Sequence, residues 1–129
     1  MKGVKSKEFS CYWKAMFLSS LCYPDTIDFN NKNHIDKVKH MKAYIESIQY
    51  VLGCKYCRCF VKKVLLPKYP IDYSGRVKLM YGIYVWKDQV AKKLQKQGLD
   101  VKDSPPFDVI LKKYEKYYAK CDNVVSRCV

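Results

Sequence analysis

At 129 residues the chain has the length of one ordinary domain, and its 49% hydrophobic content, with 12 Tyr, 5 Phe and 2 Trp, excludes a disordered linker. Only 5 Gly and 5 Pro disfavour a turn-rich all-β fold, and no run approaches the about 20 apolar residues of a membrane-spanning helix. Lys and Arg outnumber Asp and Glu by 25 to 12, and a net charge of +13 attracts nucleic acid, an anionic membrane or an acidic partner without naming which. No Arg-rich run, Gly-rich RNA-binding signature or zinc-finger pattern accompanies that charge, so nucleic acid stays a secondary expectation.

The periodicity predicts five helices and no strand. The first spans about 8–22, with Trp13, Phe17 and Leu21 repeating at four-residue spacing, and stops before Pro24. That buried stripe explains the short apolar run better than a secretion signal does. Asn30 to Asn33 offers an N-cap for a second helix near 34–52, whose inner stripe is Ile35, Val38, Met41, Ile45, Ile48 and Leu52, with Gly53 as its stop. A third runs from Lys55 to Leu66 before Pro67. Ser74 is the expected cap of a fourth near 75–97, with Leu79, Ile83, Trp86, Val90 and Leu94 inward and Gly98 at its end. Ser104-Pro105-Pro106 opens the fifth, which turns Phe107, Ile110, Leu111, Tyr114, Tyr118 and Cys121 to one side. The expected fold is all-α, an antiparallel four-helix bundle with a short fifth C-terminal helix. It forms one domain over 1–129, with flexible ends at about 1–7 and 122–129.

Seven cysteines are many for a reduced intracellular protein, and an odd number leaves at least one unpaired within the chain. Cys54-Lys55-Tyr56-Cys57 is the informative group. Two cysteines at this spacing close a small disulfide ring that exchanges readily with other thiols. Their place at the start of the third helix favours a thiolate, and Lys55 and Arg58 add positive charge. Two rival readings stand beside the redox one: a zinc site using Cys59 with His34 or His40, and inert core thiols. Zinc normally takes a second close cysteine pair, which this chain lacks, so no metal is expected.

With this layout the chain resembles the flavin-linked sulfhydryl oxidases of the Erv/ALR family over roughly residues 12–121. Trp13 with Tyr23-Pro24 is similar to the family's opening element. Tyr50-Val51-Leu52-Gly53-Cys54-Lys55-Tyr56-Cys57 is similar to its approach to the active disulfide, and Pro106-Phe107 through Tyr114 to Cys121 resembles the last helix of members from large DNA viruses. The resemblance implies a FAD-dependent thiol oxidase, dimeric, that takes electrons from a dithiol protein substrate and gives them to oxygen. It also implies a viral protein acting in the host cytoplasm, at a virus factory, or in the virion. Cys54 would exchange with substrate and Cys57 would face the flavin. Trp13, Phe17, Tyr50, Tyr81, Tyr84, Trp86, Lys87, Asp88, Val90 and Lys96 would line or hold the cofactor, and Cys121 and Cys128 would shuttle electrons or bridge to Cys11 or Cys22.

The chain departs from the family pattern at the flavin motif. Phe17 stands where the family has His, and Lys87-Asp88-Gln89-Val90-Ala91 stands where it has His-Asn-x-Val-Asn; a one-residue slip puts Trp86 at the His position. The departures motivate two alternatives: a flavin-free protein of the same fold with a structural or interaction role, and a thiol–disulfide carrier.

Overall fold

A computed structural model describes the backbone of residues 6–125 and the side chains of residues 10–117. The side chains of Tyr118 and Cys121, the whole of Cys128, and residues 1–5 and 126–129 of the ends expected to be flexible lie outside these, whereas the backbone of residues 6–7 and 122–125 belongs to the first and last helices. The described chain is an all-α helical bundle. Its helices are α1 (Ser6–Ser20), α2 (Lys32–Val51), α3 (Lys55–Phe60), α4 (Arg76–Lys96) and α5 (Phe107–Val125). The fifth helix is not short: with 19 residues it nearly equals α2 and α4.

The helix ends follow from local chemistry, with three differences from expectation. Asn31 caps α2 as expected, its side chain accepting from the N–H groups of Asn33 and His34. At the other end Leu52 turns to extended backbone (φ −59°, ψ 138°), so α2 is broken before Gly53, which needs no left-handed conformation. Ser74 does not cap α4. Gly75 occupies that position, because Asp72 engages the Ser74 N–H at 2.9 Å and holds it in the preceding turn. Ser104 likewise sits too early: the Pro106 carbonyl accepts the first helical bond of α5, from Val109 at 3.1 Å. Gly98 does supply the left-handed residue that ends α4 (φ 80°).

The third helical segment runs past its expected end. α3 continues through a π-helical stretch, Val61–Leu65, and a last turn, Leu66–Lys68, that accommodates Pro67 near its start. The wider turn keeps both Val61 and Leu65 buried.

One core joins the helices. Phe17, Ile45, Leu65, Leu79, Ile83 and Trp86 are almost wholly buried in it. α1 packs on α4, α2 on α3 and its extension, and α4 on α5. Phe17 stacks on Tyr114 with ring centroids 5.0 Å apart, tying α1 to α5. Ile35, expected on the inner stripe of α2, is 45% exposed because the first turn of that helix extends beyond the core.

The two loops at one end are sewn together. Ile27 N–H donates to the Ser74 carbonyl, Arg76 N–H donates to the Pro24 carbonyl, and Arg76 Nε meets Asp25 Oδ1 at 3.0 Å. The approach is so close that a Cβ on Gly75 would stand 2.5 Å from the Asp25 carbonyl oxygen. Gly75→Ala therefore must part the loops, and it is expected to lower unfolding stability by about 1–3 kcal/mol in urea titration.

Candidate redox site

Cys54 and Cys57 are positioned by the break between α2 and α3. Cys54 is itself the N-cap of α3: its backbone is extended (φ −112°, ψ 123°) and its sulfur accepts from the Cys57 N–H at 3.4 Å. Its carbonyl accepts the Arg58 N–H at 3.0 Å. The Arg58 guanidinium reaches back to the Leu52 carbonyl, a group that the end of α2 leaves without a helical partner. Arg58 thus fixes the turn that presents the pair, where charge alone was expected of it.

The two sulfurs differ in environment. Cys54 is buried and Cys57 is half-buried. Burial works to raise the Cys54 thiol. Against it, the Cys57 thiol and the N–H groups of Cys57 and Tyr56 donate to the Cys54 sulfur, and the net direction is below the ordinary thiol value. Cys57 is pushed up to about 12, first by burial and then by its bond and charge interaction with Cys54, with Lys93 pulling weakly the other way. Of the pair for which the helix start was expected to favour a thiolate, the helix N-terminus therefore serves Cys54 rather than Cys57. In the reduced protein, alkylation by iodoacetamide followed by peptide mass mapping should modify Cys54 well below the pH at which Cys57 reacts. The opposite order would contradict this assignment.

Cys57 lines a cavity of ≈ 80 Å³ between α1, α2, α3 and α4. Trp13 and Met16, Leu52, Phe60 and Val90 form much of its wall, with Tyr12 and Tyr56 also lining it. Lys93 is the cation in the lining, its Nζ 4.2 Å from the centroid of the Phe60 ring. Phe60 was not expected at a site, though its spacing signals it: Phe60 follows Cys57 by three residues on one helix, as Lys93 follows Val90 by three on another.

Of the other residues expected at a cofactor, only Trp13 and Val90 share this cavity. Phe17 and Trp86 are 1% exposed in the core, and the Trp86 indole N–H donates to the Tyr69 carbonyl at 2.6 Å. Tyr50 is exposed on α2 and Lys96 on α4. Tyr81 and Tyr84 pack with Phe107 where α4 meets α5, and Tyr81 borders a different groove. Asp88 pairs with Lys92 at 3.0 Å. Lys87 is half-buried; burial, then the like charges of Lys113 and Lys14, lower its pKa.

Cys11, Cys22 and Cys59 are exposed thiols, and the Cys22 thiol donates to the Ser19 carbonyl. Any bridge from Cys11 or Cys22 to Cys121 or Cys128 falls outside the described residues. His34 is engaged elsewhere, its Nδ1 accepting the Asp28 N–H at 2.9 Å. Among the described residues no three metal-ligating side chains gather, and no helix is long and apolar enough to cross a membrane. No protein-family model, curated protein or solved structure matches the chain.

Proposed function

We propose that the protein is a thiol oxidase in which the Cys54–Cys57 pair takes two electrons from a protein dithiol and passes them to FAD, with oxygen as final acceptor. The observation that carries this reading is the division of labour between the sulfurs. Cys54 sits at a helix N-terminus with its thiolate favoured, and Cys57 looks into an aromatic-walled cavity.

The exchange half of the reaction follows from these surroundings. A substrate thiolate attacks Cys54 Sγ of the oxidised pair, the Cys54–Cys57 bond breaks, and Cys57 leaves with the electron pair. Cys57, with its high proton affinity, takes up one proton. The second substrate thiol then loses its proton to solvent and attacks the substrate sulfur held on Cys54. The substrate leaves as a disulfide and Cys54 remains as the stabilised thiolate. Two electrons have moved from substrate to the pair.

A flavin, when bound, supplies a two-electron acceptor that oxygen can reoxidise. The chemistry of the cavity suits it. Trp13 and Phe60 offer ring faces, Leu52 and Val90 exclude water, and Lys93 would offset the negative charge that the ring gains on reduction. Lys87, whose pKa responds to Lys14 and Lys113, lies in a region of gathered positive charge suited to the cofactor's phosphates.

A second reading, a flavin-free thiol–disulfide carrier, is favoured by size. At ≈ 80 Å³ the cavity is smaller than the about 150 Å³ that holds benzene, so a flavin ring requires its lining, Tyr12 and Tyr56 included, to move apart. The two readings are separated by oxygen uptake with dithiothreitol after reconstitution with FAD. The oxidase consumes oxygen only with FAD; the carrier exchanges disulfides at the same rate without it and consumes none.

A further inference from the structure

The redox pair lies in a segment whose charge is one-sided. From Ser47 to Ile71 the chain has no Asp or Glu, yet it holds Lys55, Arg58, Lys62, Lys63 and Lys68. Arg58 is turned inward to the Leu52 carbonyl, but Lys55, Lys62 and Lys63 are exposed on α3 and its π-helical extension. The same segment carries exposed apolar side chains: Tyr50 is 69% exposed, Val51 62% and Tyr56 68%. All three lie within four residues of Cys54 in the chain. Lone exposed aromatics are common, whereas three exposed apolar side chains bracketing a buried reactive sulfur form a surface on which a substrate can lie.

We infer that this face docks an acidic, cysteine-bearing segment of a partner protein, its carboxylates on Lys62 and Lys63 and its apolar side chains on Tyr50 and Tyr56. This names the substrate class of the proposed thiol oxidase and rests on that reading. Charge complementarity selects the occupant. A second copy of the chain brings another +13 to a basic surface. The chain's own C-terminal segment, residues 112–128, is also basic, with Lys112, Lys113, Lys116, Lys120 and Arg127 against Glu115 and Asp122. Nucleic acid meets the charge but carries no thiol for Cys54 to exchange.

The test uses the full chain, oxidised at Cys54–Cys57, and two synthetic dithiol peptides that differ only in flanks, Asp/Glu in one and Asn/Gln in the other. Single-turnover exchange is followed by quench and mass spectrometry. The acidic peptide should react about tenfold faster at low ionic strength. The gap should close as salt shortens the screening length to about 8 Å and below. Lys62→Glu with Lys63→Glu should reverse the preference while leaving reduction by dithiothreitol within about twofold, since both side chains are on the docking face and distant by about 12 Å of helix from Cys54. Equal rates for the two peptides, with normal dithiothreitol reduction, overturn the docking inference alone. Failure of dithiothreitol to reduce the pair overturns the thiol oxidase reading and this inference with it. Loss of duplex DNA binding in the double variant, with peptide rates unchanged, assigns the face to nucleic acid and overturns the inference.

Discussion

Cys54→Ser should stop dithiol oxidation, with a fall on the order of 10³ or more, because no other described sulfur shares its cap position. Cys57→Ser should stop turnover equally but leave a different trace. The serine hydroxyl and the residue 57 N–H can still donate to the Cys54 sulfur, so its thiolate stays favoured. Offered a disulfide substrate, that variant should accumulate a mixed disulfide at Cys54, since nothing remains to resolve it. Cys59→Ser should keep turnover within about twofold of the parent, as an exposed thiol outside this arrangement. Oxygen uptake and intact-protein mass spectrometry read all three. Full activity in Cys54→Ser would place the redox chemistry in another pair.

The second large effect is on stability. Trp86 is 1% exposed, and its indole N–H satisfies the Tyr69 carbonyl. Trp86→Ala removes a core ring and leaves that carbonyl without its partner, and should cost about 3–5 kcal/mol in urea unfolding. Trp86→Phe keeps most of the volume and should cost about 1–3 kcal/mol, mainly through the lost bond. Both variants should show a lower midpoint whether or not FAD is present. Loss of flavin affinity without loss of stability would instead put Trp86 at the cofactor, as the sequence resemblance implied.

The sequence revealed what depends on periodicity and on short-range chemistry. The stripe Leu79, Ile83, Trp86, Leu94 is buried as its spacing predicts, and Asn31 caps α2 from two local N–H groups. The cap at Ser74 misled because a rival bond from Asp72, also local, holds the Ser74 N–H and shifts the helix start by one residue. Ile35 fits the stripe, yet it stands 45% exposed at the start of α2; which positions of a stripe are covered is a tertiary fact. The π-helical turn at Val61–Leu65 carries no strong sequence mark, since the same apolar residues suit an α-helix.

The candidate site divides along the same line. Cys54 and Cys57 announce themselves by spacing, and their unequal roles follow from the cap that the spacing creates. The aromatic positions did not sort themselves by pattern. Trp13 and Trp86 are both tryptophans on core stripes; the cavity beside Cys57 has Trp13 in its wall and not Trp86. Likewise Tyr81 and Tyr84 lie on the same helix as Val90, yet only Val90 lines that cavity, while Tyr81 and Tyr84 meet Phe107 at the α4–α5 junction.

If the Cys54–Cys57 pair hands its electrons to a flavin at Cys57, as proposed, the visible spectrum of FAD-reconstituted protein should show a bound flavin band that bleaches when a dithiol is added without oxygen, and that does not bleach in Cys57→Ser under the same conditions. No bound flavin, or a band that a dithiol bleaches as readily without Cys57, would contradict that proposal.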